Sequence, residues 1–175
     1  MTALVVLDSG EPLDGWLTFN KRHTPAAANA YSRIRIDSEM RRSAVLRIAL
    51  MSSENFAAYT LARSHPGGFD AFVEAMNAKA RKLGMTRTQF VDPTGLSVGN
   101  VSTAADLVKL AKAALRHPEI REYSTTGYYR AWFRSPRYSL SFGNTNALVH
   151  RDSWGVTLSK TGYLSDAGRC LVMVS

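Results

Sequence analysis

Met51-Ser52-Ser53-Glu54-Asn55-Phe56-Ala57-Ala58 lies between two apolar runs, and its reading decides the rest. Ahead of it, Ala44, Val45, Ile48 and Ala49 recur at helical spacing; behind it, Phe56 to Leu61 is helix-like until Pro66-Gly67-Gly68 stops it. The plain use of a hydroxyl and an amide at such a junction is capping. Ser53 or Asn55 can accept from the first free N–H groups of the second helix.

A second stretch adds another use. Leu158-Ser159-Lys160-Thr161-Gly162-Tyr163 is followed by strand-like Cys170-Leu171-Val172-Met173-Val174. Ser-x-Asn at a helix junction and Lys-Thr-Gly on a later strand are two of three marks of serine enzymes that acylate on D-alanyl peptides and β-lactams. The third, Ser-x-x-Lys, carries the nucleophile, and no serine in these 175 residues has lysine three places on.

The chemistry open to each residue follows from its functional group. Lys160 is a positive charge that can hold a carboxylate, with the Thr161 hydroxyl donating beside it. Gly162 lets an extended peptide approach the strand edge, and the Tyr163 N–H can serve an oxyanion hole. Ser53 can relay a proton between a lysine base and a leaving amine, and Asn55 can grip a substrate amide. All of this requires Ser53 and Lys160 to meet.

Bulk properties set the frame. The chain is long enough for one domain with a real core, and 45% apolar residues with three tryptophans exclude disorder. Its 22 Lys and Arg against 14 Asp and Glu give +8, which suits anionic partners. Cys170 is alone, so no internal disulfide forms, and its apolar strand predicts a packed thiol. No run approaches a membrane span, and Met1 to Asp8 lack the features of a signal peptide.

Along the chain, Thr2 to Leu7 is an unbroken apolar run that composition alone reads as a buried strand, and Trp16 to Phe19 reads as a short strand. Lys21 to Ser32 reads as loop, and Asp37 or Ser38 as the cap of the helix carrying Val45 and Ile48. Phe69 to Leu83 is the clearest helix, closed by Gly84. Thr86 to Val91 reads as strand, Asp92-Pro93-Thr94-Gly95 as a turn, and Thr103 with Asp106 as the capping pair of a further helix. Glu119 and Glu122 fall in a short helix before an aromatic, arginine-rich hairpin over Tyr128 to Phe142. The plain reading of that hairpin is a wet outer face, and the sharper one a stacking platform for single-stranded nucleic acid. Val156 to Gly162 and Cys170 to Val174 are two more strands. Helices in the middle and strands late favour an α+β class.

From Met1 to Ser175 the chain resembles the serine D-alanyl-D-alanine peptidases, the low-molecular-weight penicillin-binding proteins. The resemblance rests on Ala49 to Asn55, Phe72 to Ala80, Leu83-Gly84-Met85, Pro93 to Leu96, Asn100 to Ala104, Asn144-Thr145-Asn146, Lys160 to Tyr163 and Ala167 to Val172. Glu54 brings it closer to the endopeptidase branch than to the carboxypeptidases. The resemblance implies a β-lactamase/transpeptidase-like fold in one domain: an antiparallel sheet with flanking helices and a helical subdomain, the site between them. Ser53, Asn55 and Lys160 become the catalytic residues, and Thr161, Gly162 and Tyr163 bind substrate. No cofactor or metal is implied. The implied partners are peptidoglycan stem peptides and β-lactams in the periplasm, with no nucleic acid. In relatives a run like Met1 to Asp8 continues the helix bearing Ser-x-x-Lys, so helix replaces strand there. The expectation is a chain truncated at both ends that forms no acyl-enzyme, since losing a nucleophile costs on the order of 10⁶ in rate. A class A β-lactamase is disfavoured, because neither Glu119 nor Glu122 is placed to activate a deacylating water. The alternative is a non-catalytic module binding peptidoglycan or an anionic polymer through Lys160 and the basic surface.

Overall fold

The computed structural model describes residues 1–20 and 31–175; most of the loop expected over Lys21 to Ser32 lies outside them. The apolar run at the start is helix α1 (Thr2–Asp8), with Ala3, Leu4, Val5 and Val6 all buried. A helix enclosed on every side needs no polar face, which is why period alone could not separate it from a strand. Lys79 Nζ donates to Asp8 Oδ2 at 2.6 Å and ties its end to helix α4 (Gly68–Lys82).

Strands β1 (Trp16–Thr18) and β2 (Glu39–Arg41) pair antiparallel, Leu17 opposite Met40. Helix α2 (Arg42–Met51) starts directly from β2, so Asp37 and Ser38 do not cap it; Arg41 stands at its N-cap. Ser38 Oγ instead donates to the Arg35 carbonyl at 2.6 Å, closing the bend in which Asp37 takes φ 64°. Arg42 is buried at the first helical position, held by Ser64 Oγ at 3.0 Å and Glu11 Oε2 at 3.1 Å. Burial lowers its pKa, and the Glu11 charge opposes that shift.

Helix α3 (Asn55–Arg63) is buried over Phe56 to Ala62 and packs on α2 and α4. Its cap is neither Ser53 nor Asn55. The Glu54 carboxylate accepts from Phe56 N at 3.1 Å. Helix α4 buries Phe72, Met76 and Ala80 on the expected face, and Gly84 follows it at φ 70°.

Thr86 to Val91 forms no strand; only Gln89 bridges Val101. Side chains replace the ladder there. Asp106 Oδ2 accepts from Arg87 N at 2.9 Å, and Asn77 both donates to the Phe90 carbonyl at 2.7 Å and accepts from Phe90 N at 2.9 Å. Helix α5 (Ala104–Ala114) is capped by Thr103 as expected, Oγ1 accepting from Asp106 N at 3.2 Å. Helix α6 (Pro118–Ser124) follows.

The hairpin is β3 (Tyr128–Phe133) against β4 (Tyr138–Gly143), and the late pair is β5 (Leu158–Leu164) against β6 (Gly168–Val174). Among the described residues every strand pair is antiparallel. Glu39 and Arg134 exchange backbone bonds at 3.0 Å and join β2 to the hairpin. One buried cluster runs from α1 through α2 and α3 to Phe133, Phe142 and Leu158.

Candidate active site

Ser53 is placed by the turn between two buried helices. Helix α2 ends at Ser52, whose hydroxyl and N–H return to the Ile48 carbonyl. The next residue breaks the helix by adopting φ 53°, in the left-handed region. Glu54 then starts α3 with its own carboxylate. Because the cap is supplied by Glu54, the Ser53 hydroxyl is released to face the other motif.

It meets Lys160. The Lys160 ammonium donates to Ser53 Oγ across 107 residues of sequence, and to the Thr161 carbonyl at 2.6 Å. Ser53 Oγ makes a longer contact to the same carbonyl, at 3.4 Å. The side chain keeps partial exposure, but its charge is enclosed, and burial lowers its pKa from 10.5 to about 8. Met1 lines the same space.

Thr145 closes the corner. Its N–H donates to the Met51 carbonyl at 2.9 Å, and its hydroxyl sits 2.5 Å from the Thr161 hydroxyl. The flanking asparagines hold it. Asn144 Nδ2 donates to the Ser124 and Thr126 carbonyls, both at 2.9 Å, and Asn146 Nδ2 donates to Ser159 Oγ at 3.0 Å. Asn144-Thr145-Asn146 thus straps the end of α2 to the middle of β5. It was visible in the sequence as a motif but carried no assigned role.

The cleft in front of these groups has a volume of about 1140 Å³. Ser53, Asn55, Lys160, Thr161, Gly162 and Tyr163 all line it, so every site residue expected from the sequence converges on one space. Asn55 stands at the first position of α3 on its wall, and Tyr163 is largely exposed at the mouth. Leu107, Leu110, Ala111 and Ala114 of α5 supply an apolar wall. The loop over Asp92 to Asn100, which the sequence reads as a turn with no place in the site, forms another wall. Cys170 also lines the cleft, and the expected packed thiol is corrected: it is exposed near the Gly168 end of β6, whereas Val172 and Val174 further along the same face pack against the core. Chemically the corner offers a fixed cation, three hydroxyls and a strand edge unpaired among the described residues, a set suited to an anionic, extended peptide. Among the described residues no group of three or more His, Cys, Asp or Glu is placed to hold a metal, and no helix is long and apolar enough to cross a membrane.

A hydroxyl–amide junction facing Lys-Thr-Gly across a cleft is the arrangement of serine enzymes that act on D-alanyl peptides and β-lactams, and the backbone agrees. The chain superposes on the Streptomyces K15 DD-transpeptidase with a TM-score of 0.88 and 28% identity, covering 98% of this chain and 71% of that one. A D-alanyl-D-alanine carboxypeptidase from Mycobacterium tuberculosis H37Rv gives 0.78, also at 28% identity, over 99% and 70%. The sequence matches the D-alanyl-D-alanine carboxypeptidase family over residues 1–175, and the chain belongs to that family. Among its curated relatives, a D-alanyl-D-alanine endopeptidase of Escherichia coli K12 is 54% identical and one of Pseudomonas aeruginosa 50%, each over 99% of this chain. The chain spans 56% of the length of each. The fold class and family read from the sequence therefore stand.

Proposed function

We propose that these residues form the substrate-holding part of a serine-type D-alanyl-D-alanine endopeptidase that acts on peptidoglycan peptides in the periplasm and binds β-lactams. The observation that supports this best is the hydrogen bond from Lys160 to Ser53, which unites two motifs in the corner that Asn55 and Thr161 also line. In this reading Lys160 holds the carboxylate next to the scissile amide and Thr161 donates beside it. Asn55 grips the peptide amide, Gly162 admits its backbone, Tyr163 N–H polarises the carbonyl, and Ser53 passes a proton to the leaving amine. The endopeptidase assignment over carboxypeptidase draws on the names of the two curated relatives cited above.

The nucleophile is not among these side chains, so the 175-residue polypeptide is expected to bind without acylating. Two measurements test this. Titration with a D-Ala-D-Ala peptide should show saturable binding that Lys160→Ala abolishes; no binding, or binding indifferent to that change, would overturn the reading. Labelled penicillin should leave no covalent adduct on denaturing gels, and a stoichiometric adduct would show that another residue supplies the nucleophile.

A further inference from the structure

The outer face of the β3–β4 hairpin takes no part in the cleft or the core. Along β3 the side chains alternate, Ala131 and Phe133 inward, Tyr128, Arg130 and Trp132 outward. Their partners on β4 are Gly143, Ser141 and Ser139, all small, so the two rings stand over a shallow trough. Tyr128 is 80% exposed and Trp132 65%, an unusual cost for two large rings on one face. Both are oriented by neighbours. Tyr128 packs at a tilt of 39° against His150 with centroids 4.7 Å apart, and a side chain at Gly127 would meet that imidazole at 3.2 Å. The Arg130 guanidinium lies 5.6 Å from the centre of the Trp132 ring. No Asp or Glu occurs between Glu122 and Asp152, while Arg130, Arg134, Arg137 and Arg151 do. Glu39 engages Arg134, whereas Arg130 has no acidic partner among the described residues.

We infer that this face binds an extended amino-sugar chain whose carboxylates are freed where its peptides have been removed, the glycan backbone of the polymer whose peptides the cleft is proposed to hold. The inference rests on that reading for the identity of the polymer. Sugar rings present C–H faces that stack on aromatic rings and hydroxyls that seek neutral partners, which Ser139 and Ser141 provide. Tyr128 and Trp132, four residues apart on one strand, are separated by roughly 13 Å, room for a few sugar rings in extended form. Arg130 between them complements a carboxylate. Single-stranded nucleic acid fits less well, since its charge recurs at every nucleotide and calls for a basic track alongside the rings. Here the flanking strand offers serines and a glycine. The Tyr128 end of the face lies opposite Gly143, two residues before Thr145 of the cleft.

The test uses the whole 175-residue chain at physiological salt, with three probes: amidase-stripped peptidoglycan glycan strands, a D-Ala-D-Ala peptide and oligothymidylate. The stripped glycan should bind, and Tyr128→Ser and Trp132→Ser should each weaken it about tenfold while peptide binding is unchanged. Circular dichroism and melting confirm that the variants fold; Arg130→Gln provides a second variant that leaves both rings in place and should also weaken the glycan. No glycan binding by the parent chain, equal binding by these variants, or tighter binding of oligothymidylate would each overturn the inference. Loss of peptide binding with glycan binding intact would instead sink the function proposed for the cleft.

Discussion

Two charges line the same cleft and are treated in opposite ways. Asp92 is wrapped. Its Oδ1 accepts from Thr94 N at 2.6 Å, Thr94 Oγ1 at 2.5 Å and Gly95 N at 3.0 Å, and its Oδ2 from Ser97 N at 2.8 Å and Asn100 Nδ2 at 2.7 Å. Asn100 completes the knot by accepting from Val91 N and Asp92 N. Lys160, by contrast, has three N–H donors and meets only a hydroxyl and a carbonyl among the described residues. A carboxylate with five donors is finished and builds a loop. An ammonium with neutral partners and no counter-charge still lacks an anion.

That contrast can be broken by mutation. The largest effect is expected at Asp92→Ala, which strands the donors of a whole loop and should cost about 3–5 kcal/mol in a urea melt. A cost under about 1 kcal/mol would mean that the loop is held from elsewhere. Lys160→Met should do the reverse. Stability at neutral pH should hold or rise slightly, while affinity for a D-Ala-D-Ala peptide falls by about a hundredfold or more, equivalent to some 3 kcal/mol. If Lys160→Met unfolds the chain, its ammonium is structural after all.

The next effect is one of pH. The folded state holds Lys160 near 8 against 10.5 unfolded, so between those values the unfolded chain binds more protons. Stability should therefore rise with pH across that window, by no more than about 2 kcal/mol once partial exposure is allowed for, and the gain is absent below 8. Affinity for an anionic peptide should fall over the same range as the charge is lost. Lys160→Met should flatten both profiles, and a slope surviving that change would place the titrating group elsewhere. The smallest effect is expected at Thr145→Val, which removes the hydroxyl bond to Thr161 but keeps the backbone bond to Met51. About 1 kcal/mol of stability should go, with a few-fold loss of peptide affinity, read by melting and titration.

The same two regions mark how far the sequence could be read. Lys160-Thr161-Gly162 and Ser53-Glu54-Asn55 were legible because their residue types are chemically odd where they stand, and helix α4 because Phe72, Met76 and Ala80 repeat at its period. The Asp92 knot was not. Its sequence reads as an ordinary turn, and nothing local says that Asn100, eight residues on, will share the carboxylate. Thr86 to Val91 misled for a related reason: β-propensity was present, but the ladder partners were the side chains of Asn77 and Asp106. At the Ser53 junction, propensity tables favour serine or asparagine as the cap, yet Glu54 does it. Short-range rules assign a polar side chain to the nearest need, and the fold had reserved Ser53 for a distant one.

The left-handed backbone at Ser53 carries a trade. An L-residue held at φ 53° costs roughly 1–2 kcal/mol that glycine would avoid. Ser53→Gly would recover that strain but give up the hydrogen bond from the buried Lys160 ammonium, so the two changes offset and the melting temperature should hardly move. What the substitution removes without recompense is the hydroxyl to which Lys160 is tethered, and with it the means of handling a peptide.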